Sequence, residues 1–201
     1  LENASLRARI EALLTKCGFQ SQGLYVMDSS KRSSHGNAYF TGFGRSKRIV
    51  LFDTLVERLA PEEIEAVLAH ELGHFSHRHV VKRIIAMFAA SLGMFWLLGQ
   101  LVDMPWFYNA LGVQTPSTAM ALILFSLTLP TFVFLTQPLM SYFSRKQEFE
   151  ADAYAAKNAN AADLVRALVK LYQDNAATLT PDPVHSAFYD SHPPAMIRIA
   201  R

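Results

Sequence analysis

The sequence predicts a mainly α-helical chain with a small antiparallel β-sheet and a hairpin of two apolar helices inserted between two helices that bear polar clusters. Three observations predict this arrangement. Apolar residues recur at helical spacing near both ends, three short β-type runs fall between residues 24 and 52, and two long uncharged stretches occupy the middle.

Taken in order, Leu6, Ile10, Leu13 and Leu14 lie on one face of a helix that ends near Gly18. The period then changes to that of strands. Leu24 to Met27, Ala38 to Phe40 and Arg48 to Phe52 are separated by Ser-, Gly- and Lys-rich turns, which reads as a sheet of three strands over 24–52. The turn Ser29 to Gly36, with His35, sits where loops on a rigid sheet often carry binding residues. Pro61-Glu62-Glu63 opens a helix over 61–80, because proline suits the first helical position and acids face the positive helix end.

Residues 84–102 and 119–135 form the two apolar stretches, each near the ~20 residues that cross a bilayer as a helix. Between them, Met104-Pro105-Trp106-Phe107-Tyr108 has the aromatic character of a membrane interface. Arg78, Lys82 and Arg83 precede the pair and Arg145 and Lys146 follow it, whereas the connection holds only Asp103. The bias of basic residues predicts that both outer ends face the cytosol, with lipid around the hairpin. From 144 to 201 the chain turns polar. Asn160 serves as an N-cap to a helix marked by Leu164, Leu168, Leu171 and Tyr172, and a proline-rich tail follows.

Composition agrees. At 201 residues a single domain is expected. An apolar share of 51% with only 18% charged residues suits lipid contact better than an ordinary soluble surface. A formal net charge of +2, without runs of like charge, argues against a nucleic-acid partner. Cys17 is the only cysteine, which rules out an intrachain disulfide or a thiolate metal cluster. The chain begins at Leu1 without a basic, signal-like segment, and reads as an internal piece of a longer protein.

The chemistry concentrates in His70-Glu71-Leu72-Gly73-His74. On a helix the two histidines lie one turn apart on one face and can converge on a single tetrahedral zinc, with Glu71 beside them. A third ligand is needed. Glu148 supplies it, and Asp152, four residues on, shares its face and suits a hydrogen bond to a ligand histidine. Glu150 points away. The alternative is a polar helix face and a set of surface acids, but the hairpin returns the chain to the side it left and so brings both halves together.

Zinc so held acidifies water toward a pKa of about 7. Glu71 is then the general base that takes the proton and passes it to the leaving amine of a cut peptide. Asn37 and His192 are candidates for stabilising the oxyanion, although spacing places neither at the metal. His77 and His79 are expected at the surface or an interface, and His185 in a loop.

These residues resemble the Ste24 branch of the M48 metallopeptidases, the type I CAAX prenyl proteases. The stretches that carry the resemblance are Ser30 to Phe40, Lys47 to Leu55, Val67 to Phe75, Glu148 to Ala153, Leu168 to Asn175 and Ser191 to Ile199. The resemblance implies a gluzincin-like zinc core with one zinc on His70, His74 and Glu148, and Glu71 catalytic. It also implies substrate or transition-state contacts from Asn37 and His192. An extended peptide would lie along the sheet edge after Asn37, by strand addition. Members of that branch carry further N-terminal membrane helices, so a longer protein would complete the chamber.

Prenylated C-termini are the substrates the resemblance implies. The related HtpX-like branch, which clears damaged membrane proteins, shares the zinc residues and is one alternative. A non-catalytic, zinc-stabilised membrane scaffold is another, and Glu71 counts against it because a structural site has no use for a base.

Overall fold

The computed structural model describes residues 3–31, 36–41, 48–174 and 181–200. The loop residues 32–35 with His35, and also Lys47 and Asn175, lie outside these.

Helix α1 (Ala4–Lys16) opens at Asn3, whose side chain accepts the Leu6 N–H at 3.0 Å. Its predicted apolar face of Leu6, Ile10, Leu13 and Leu14 is buried in the main core. Strands β1 (Leu24–Met27), β2 (Ala38–Thr41) and β3 (Arg48–Phe52) follow. Alternation is clearest in β3, where Ile49 and Leu51 are buried and Arg48 is exposed.

The expected antiparallel sheet needs correction, because the sheet is mixed. Its order is β1-β3-β2, with β1 parallel and β2 antiparallel to β3. Strand β3 slots between the two earlier strands, so the long β1–β2 connection joins strands that are not neighbours. Short strands separated by turns suggest hairpins, and nothing in the residues signals that a strand will be skipped.

After α2 (Asp53–Arg58) comes α3 (Pro61–Ser76), with Pro61 in its first turn as expected. Glu63 accepts the Ala60 N–H at 2.8 Å and the Lys170 ammonium at 2.7 Å, which ties this helix start to the later helix α7 (Ala161–Asp174). Helix α4 (His79–Leu101) and helix α6 (Thr118–Asn158) are both long and apolar enough to cross a membrane. The short helix α5 (Pro105–Ala110) turns the chain between them. There the Tyr108 hydroxyl donates to the Val102 carbonyl at 2.6 Å, and Phe107, Tyr108, Ala121 and Leu124 form a second small core.

One finding departs from the expected division at residue 144. The second apolar stretch and the segment bearing Glu148 form one uninterrupted 41-residue helix that contains Pro130 and Pro138. Apolar span and polar acids look like separate elements in sequence because the hydropathy changes, while helical geometry does not. The proline-rich tail likewise holds two short helices, α8 (Pro183–Tyr189) and α9 (Ala195–Ile199), each beginning beside a proline. His185 is therefore helical rather than in a loop.

Helices α3 and α6 pack tightly where Gly73 faces Ala151. A Cβ added to Gly73 would stand 2.9 Å from Ala151 Cα, 3.1 Å from its carbonyl oxygen and 3.1 Å from Tyr154 Cβ. Two of these three atoms belong to the backbone and cannot swing aside. Gly73→Ala is expected to destabilise the protein by about 1–3 kcal/mol, overriding the usual gain of helix propensity. Denaturant or thermal unfolding in detergent checks this, and unchanged stability would show that the two helices have room to part.

Candidate metal centre

His70 and His74 project from one face of α3, and the Gly73 contact brings that face against α6 at Glu148. The three residues offer one ligand atom each, all within 4.8 Å of one another. The two Nε2 atoms are 3.2 Å apart. Glu148 Oε2 lies 3.5 Å from His70 Nε2, and Oε1 lies 3.4 Å from His74 Nε2.

A tetrahedral zinc with ordinary bond lengths sets its nitrogen ligands roughly 3.3 Å apart and nitrogen from oxygen roughly 3.4 Å. The trio has that spacing. Glu148 is only 4% exposed, and its Oε2 has no hydrogen bond of proper alignment. His192 Nδ1 does approach Oε2 to 2.8 Å, but off the line of a hydrogen bond. A buried carboxylate oxygen left in this state, facing two imidazole nitrogens, fits a cation better than a purely structural cluster.

Asp152 answers a question the sequence leaves open, namely which histidine it meets. Its Oδ1 accepts from His70 Nδ1 at 2.8 Å. Arg198 holds the same carboxylate from the other side, with Nε 2.8 Å from Oδ2 and Nη2 2.5 Å from Oδ1. The guanidinium is itself buried, 7% exposed, and sits 3.8 Å from Glu148 Oε2. Sequence reasoning misses Arg198. The available signal is a single cation within the otherwise apolar Ala195-Met196-Ile197-Arg198-Ile199.

Burial alone would lower the affinity of His70 for a proton. The carboxylates of Asp152 and Glu148 outweigh it and raise the imidazole to about 9. Burial pushes the Glu71 carboxyl above the usual range, and Glu148 adds to this while His70 and His74 oppose it. Glu148 lies beyond the apolar stretch 119–135. Burial would raise its carboxyl, but His192, His70 and His74 hold it far below the usual range. Glu71 is thus the more basic of the two acids.

His192 reaches the trio from the turn between α8 and α9, and three side chains hold that turn. Arg145 Nη1 donates to the carbonyls of Ser186 at 3.0 Å, Ala187 at 3.3 Å and Asp190 at 3.0 Å. Ser141 Oγ donates to the Phe188 carbonyl at 2.8 Å, and the Tyr172 hydroxyl to that of Pro193 at 3.2 Å. Arg145, read from sequence only as a flanking charge, thereby fixes the segment that carries His192.

Asn37 is not brought to the trio by any bond among the described residues. It stands exposed at the start of β2, where its Oδ1 accepts the Ala38 N–H at 2.9 Å and its carbonyl the Phe52 N–H at 3.0 Å. His77 stays outside the trio and turns Nδ1 to the Gly73 carbonyl at 2.9 Å. It is half-buried, whereas the expectation of a surface or interfacial His79 is wrong, since that ring is only 2% exposed. Glu150 points away from Glu148, as expected, and toward His79.

Comparison with known proteins is consistent with this geometry. The model of Peptidase family M48 matches residues 1–201. The chain is 39% identical over 203 residues to the CAAX prenyl protease 1 homolog of Arabidopsis thaliana, covering 99% of this chain and 47% of that protein. It is 38% identical over 209 residues to CAAX prenyl protease 1 of Saccharomyces cerevisiae, covering 96% and 46% respectively. The crystal structure of S. mikatae Ste24p superposes with a TM-score of 0.89 at 37% identity, over 100% of this chain and 50% of that one. The chain thus spans about half the length of the relatives it matches.

Proposed function

Because the chain belongs to peptidase family M48, we propose that it carries the catalytic zinc site of a membrane-embedded endopeptidase that trims prenylated C-termini. The observation that carries this reading is the trio His70, His74 and Glu148, at ligand-to-ligand spacings that suit one zinc, with the Glu71 carboxyl within electrostatic reach of all three. Zinc bound there supplies a Lewis acid that polarises the scissile carbonyl and acidifies the attacking water.

The remaining work falls to the side chains. Glu71, made more basic by burial, takes the proton from the attacking water and returns it to the leaving nitrogen. His192, presented by the turn that Arg145 secures, donates toward the oxygen on which charge develops, and Asn37 aligns the substrate backbone. Strand β2 pairs with β3 on one side only among the described residues, which leaves an edge for an extended peptide. Phe40 of that strand packs edge-on against Phe75 of α3, with ring centroids 5.4 Å apart, so the edge runs beside the helix that bears the histidines.

Membrane insertion is supported by α4, of whose most apolar window no residue is buried, and by α6, where the share is 11%. Such surfaces need lipid or further protein to cover them. The basic flanks would place the site on the cytosolic side.

Glu71→Gln tests the proposal. The variant is expected to keep about one zinc per chain and to lose cleavage of a farnesylated C-terminal peptide by about 10²–10⁴-fold, the usual worth of a general base. Activity surviving in Glu71→Gln would overturn the mechanism. Preference for an unfolded membrane protein over the prenylated peptide would move the substrate class to quality control.

A further inference from the structure

His79 has a place that metal binding by the trio does not by itself require. Its ring is buried at the start of α4, with Nδ1 3.0 Å from His74 Nδ1 and Nε2 2.9 Å from Glu150 Oε2. The His77 ring stacks on it at 5.4 Å and 20°. The turn that delivers it contains Arg78, whose φ of 55° is the only positive value at a non-glycine position among the described residues. A long side chain is disfavoured in that conformation, so the backbone accepts strain to fold His79 back under His74.

We propose that His79 is a positioning residue for His74, and that Glu150 holds His79 in the tautomer this requires. The chain of donors runs in one direction. A carboxylate accepts only, so His79 Nε2 carries the proton toward Glu150, and His79 Nδ1 bears a lone pair. His74 Nδ1 must then be the donor, which leaves His74 Nε2 unprotonated and facing His70 and Glu148. The opposite order would set the bare Nε2 of His79 against a carboxylate at 2.9 Å and place a proton on His74 Nε2, where the ligand lone pair is needed. Each of the two histidines thus has its own support on α6. Asp152, braced by Arg198, orients His70, and Glu150 through His79 orients His74. Outer partners of this kind are commonly worth 10–100-fold in metal affinity.

The inference rests on the zinc reading, and the experiment separates the two. Zinc affinity is measured by chelator competition on the full chain in detergent, for wild type and for Glu148→Ala, His79→Phe, His79→Asn and Glu150→Leu. His79→Phe keeps the ring but removes both nitrogens, and is expected to weaken zinc about 10–100-fold. In His79→Asn the amide oxygen can stand near the lost Nδ1 and accept from His74, so most of the affinity should return. Glu150 is 35% exposed, so Glu150→Leu should fold and weaken zinc about tenfold. Melting of the chelated proteins should not separate His79→Phe from His79→Asn. Wild-type affinity in His79→Phe, or equal losses in the Phe and Asn variants, would overturn the positioning role. Equal zinc in wild type and Glu148→Ala would overturn the zinc reading instead.

Discussion

Purified Glu148→Ala protein is expected to contain almost no zinc by elemental analysis, against about one per chain in wild type, and to lose proteolysis with it. Glu148 is the anionic member of the trio, and its burial means that no surface acid can take its place. The substitution leaves two imidazoles whose Nε2 atoms face each other at 3.2 Å, with His70 still held by Asp152 of α6. Two ligands do not close a three-ligand zinc site. The loss also shows in stability. A ligand present at a thousand times its dissociation constant stabilises the native state by about 4 kcal/mol. Added zinc should therefore raise the melting temperature of wild type and leave that of Glu148→Ala where it was. Equal zinc and equal melting shifts in both would remove Glu148 from the site.

The part of this centre that sequence discloses is the part governed by the helical repeat. His70 and His74 are four apart, and so are Glu148 and Asp152, so each pair has a face before any fold is known. The helix start at Pro61 and the N-cap at Asn160 are local signals as well, and the Asn160 side chain does accept the Ala162 N–H at 2.9 Å. What is hidden depends on contacts between distant segments. Gly73 looks like a helix-weakening residue until Ala151 is placed against it. Arg198 belongs to a short tail helix and meets Asp152 only through the tertiary fold. His79 looks like one of several histidines after a motif, because its burial depends on the left-handed backbone at Arg78 and on Glu150, 71 residues further on. The sheet shows the same limit, since strand runs are local but the insertion of β3 between β1 and β2 is not.

Arg198→Ala is expected to cost about 3–5 kcal/mol of stability, the usual penalty for leaving a buried charge without its partner. The guanidinium makes two short bonds to Asp152 at 2.8 and 2.5 Å while 7% exposed, and Asp152 is only 15% exposed, so water can replace little of what is lost. Arg198→Lys should recover only part of this, because an ammonium cannot match both oxygens of the carboxylate at once. Asp152 would then be pulled toward neutrality, and a protonated carboxyl is a weaker acceptor for His70 Nδ1, so zinc affinity should fall about 10–100-fold as well. A double-mutant cycle with Asp152→Asn isolates the pair. If Arg198 acts through Asp152, the second substitution should cost much less in the Arg198→Ala background than alone. Strict additivity of the two losses would mean that Arg198 acts elsewhere, with Glu148 Oε2 at 3.8 Å as the remaining charged neighbour.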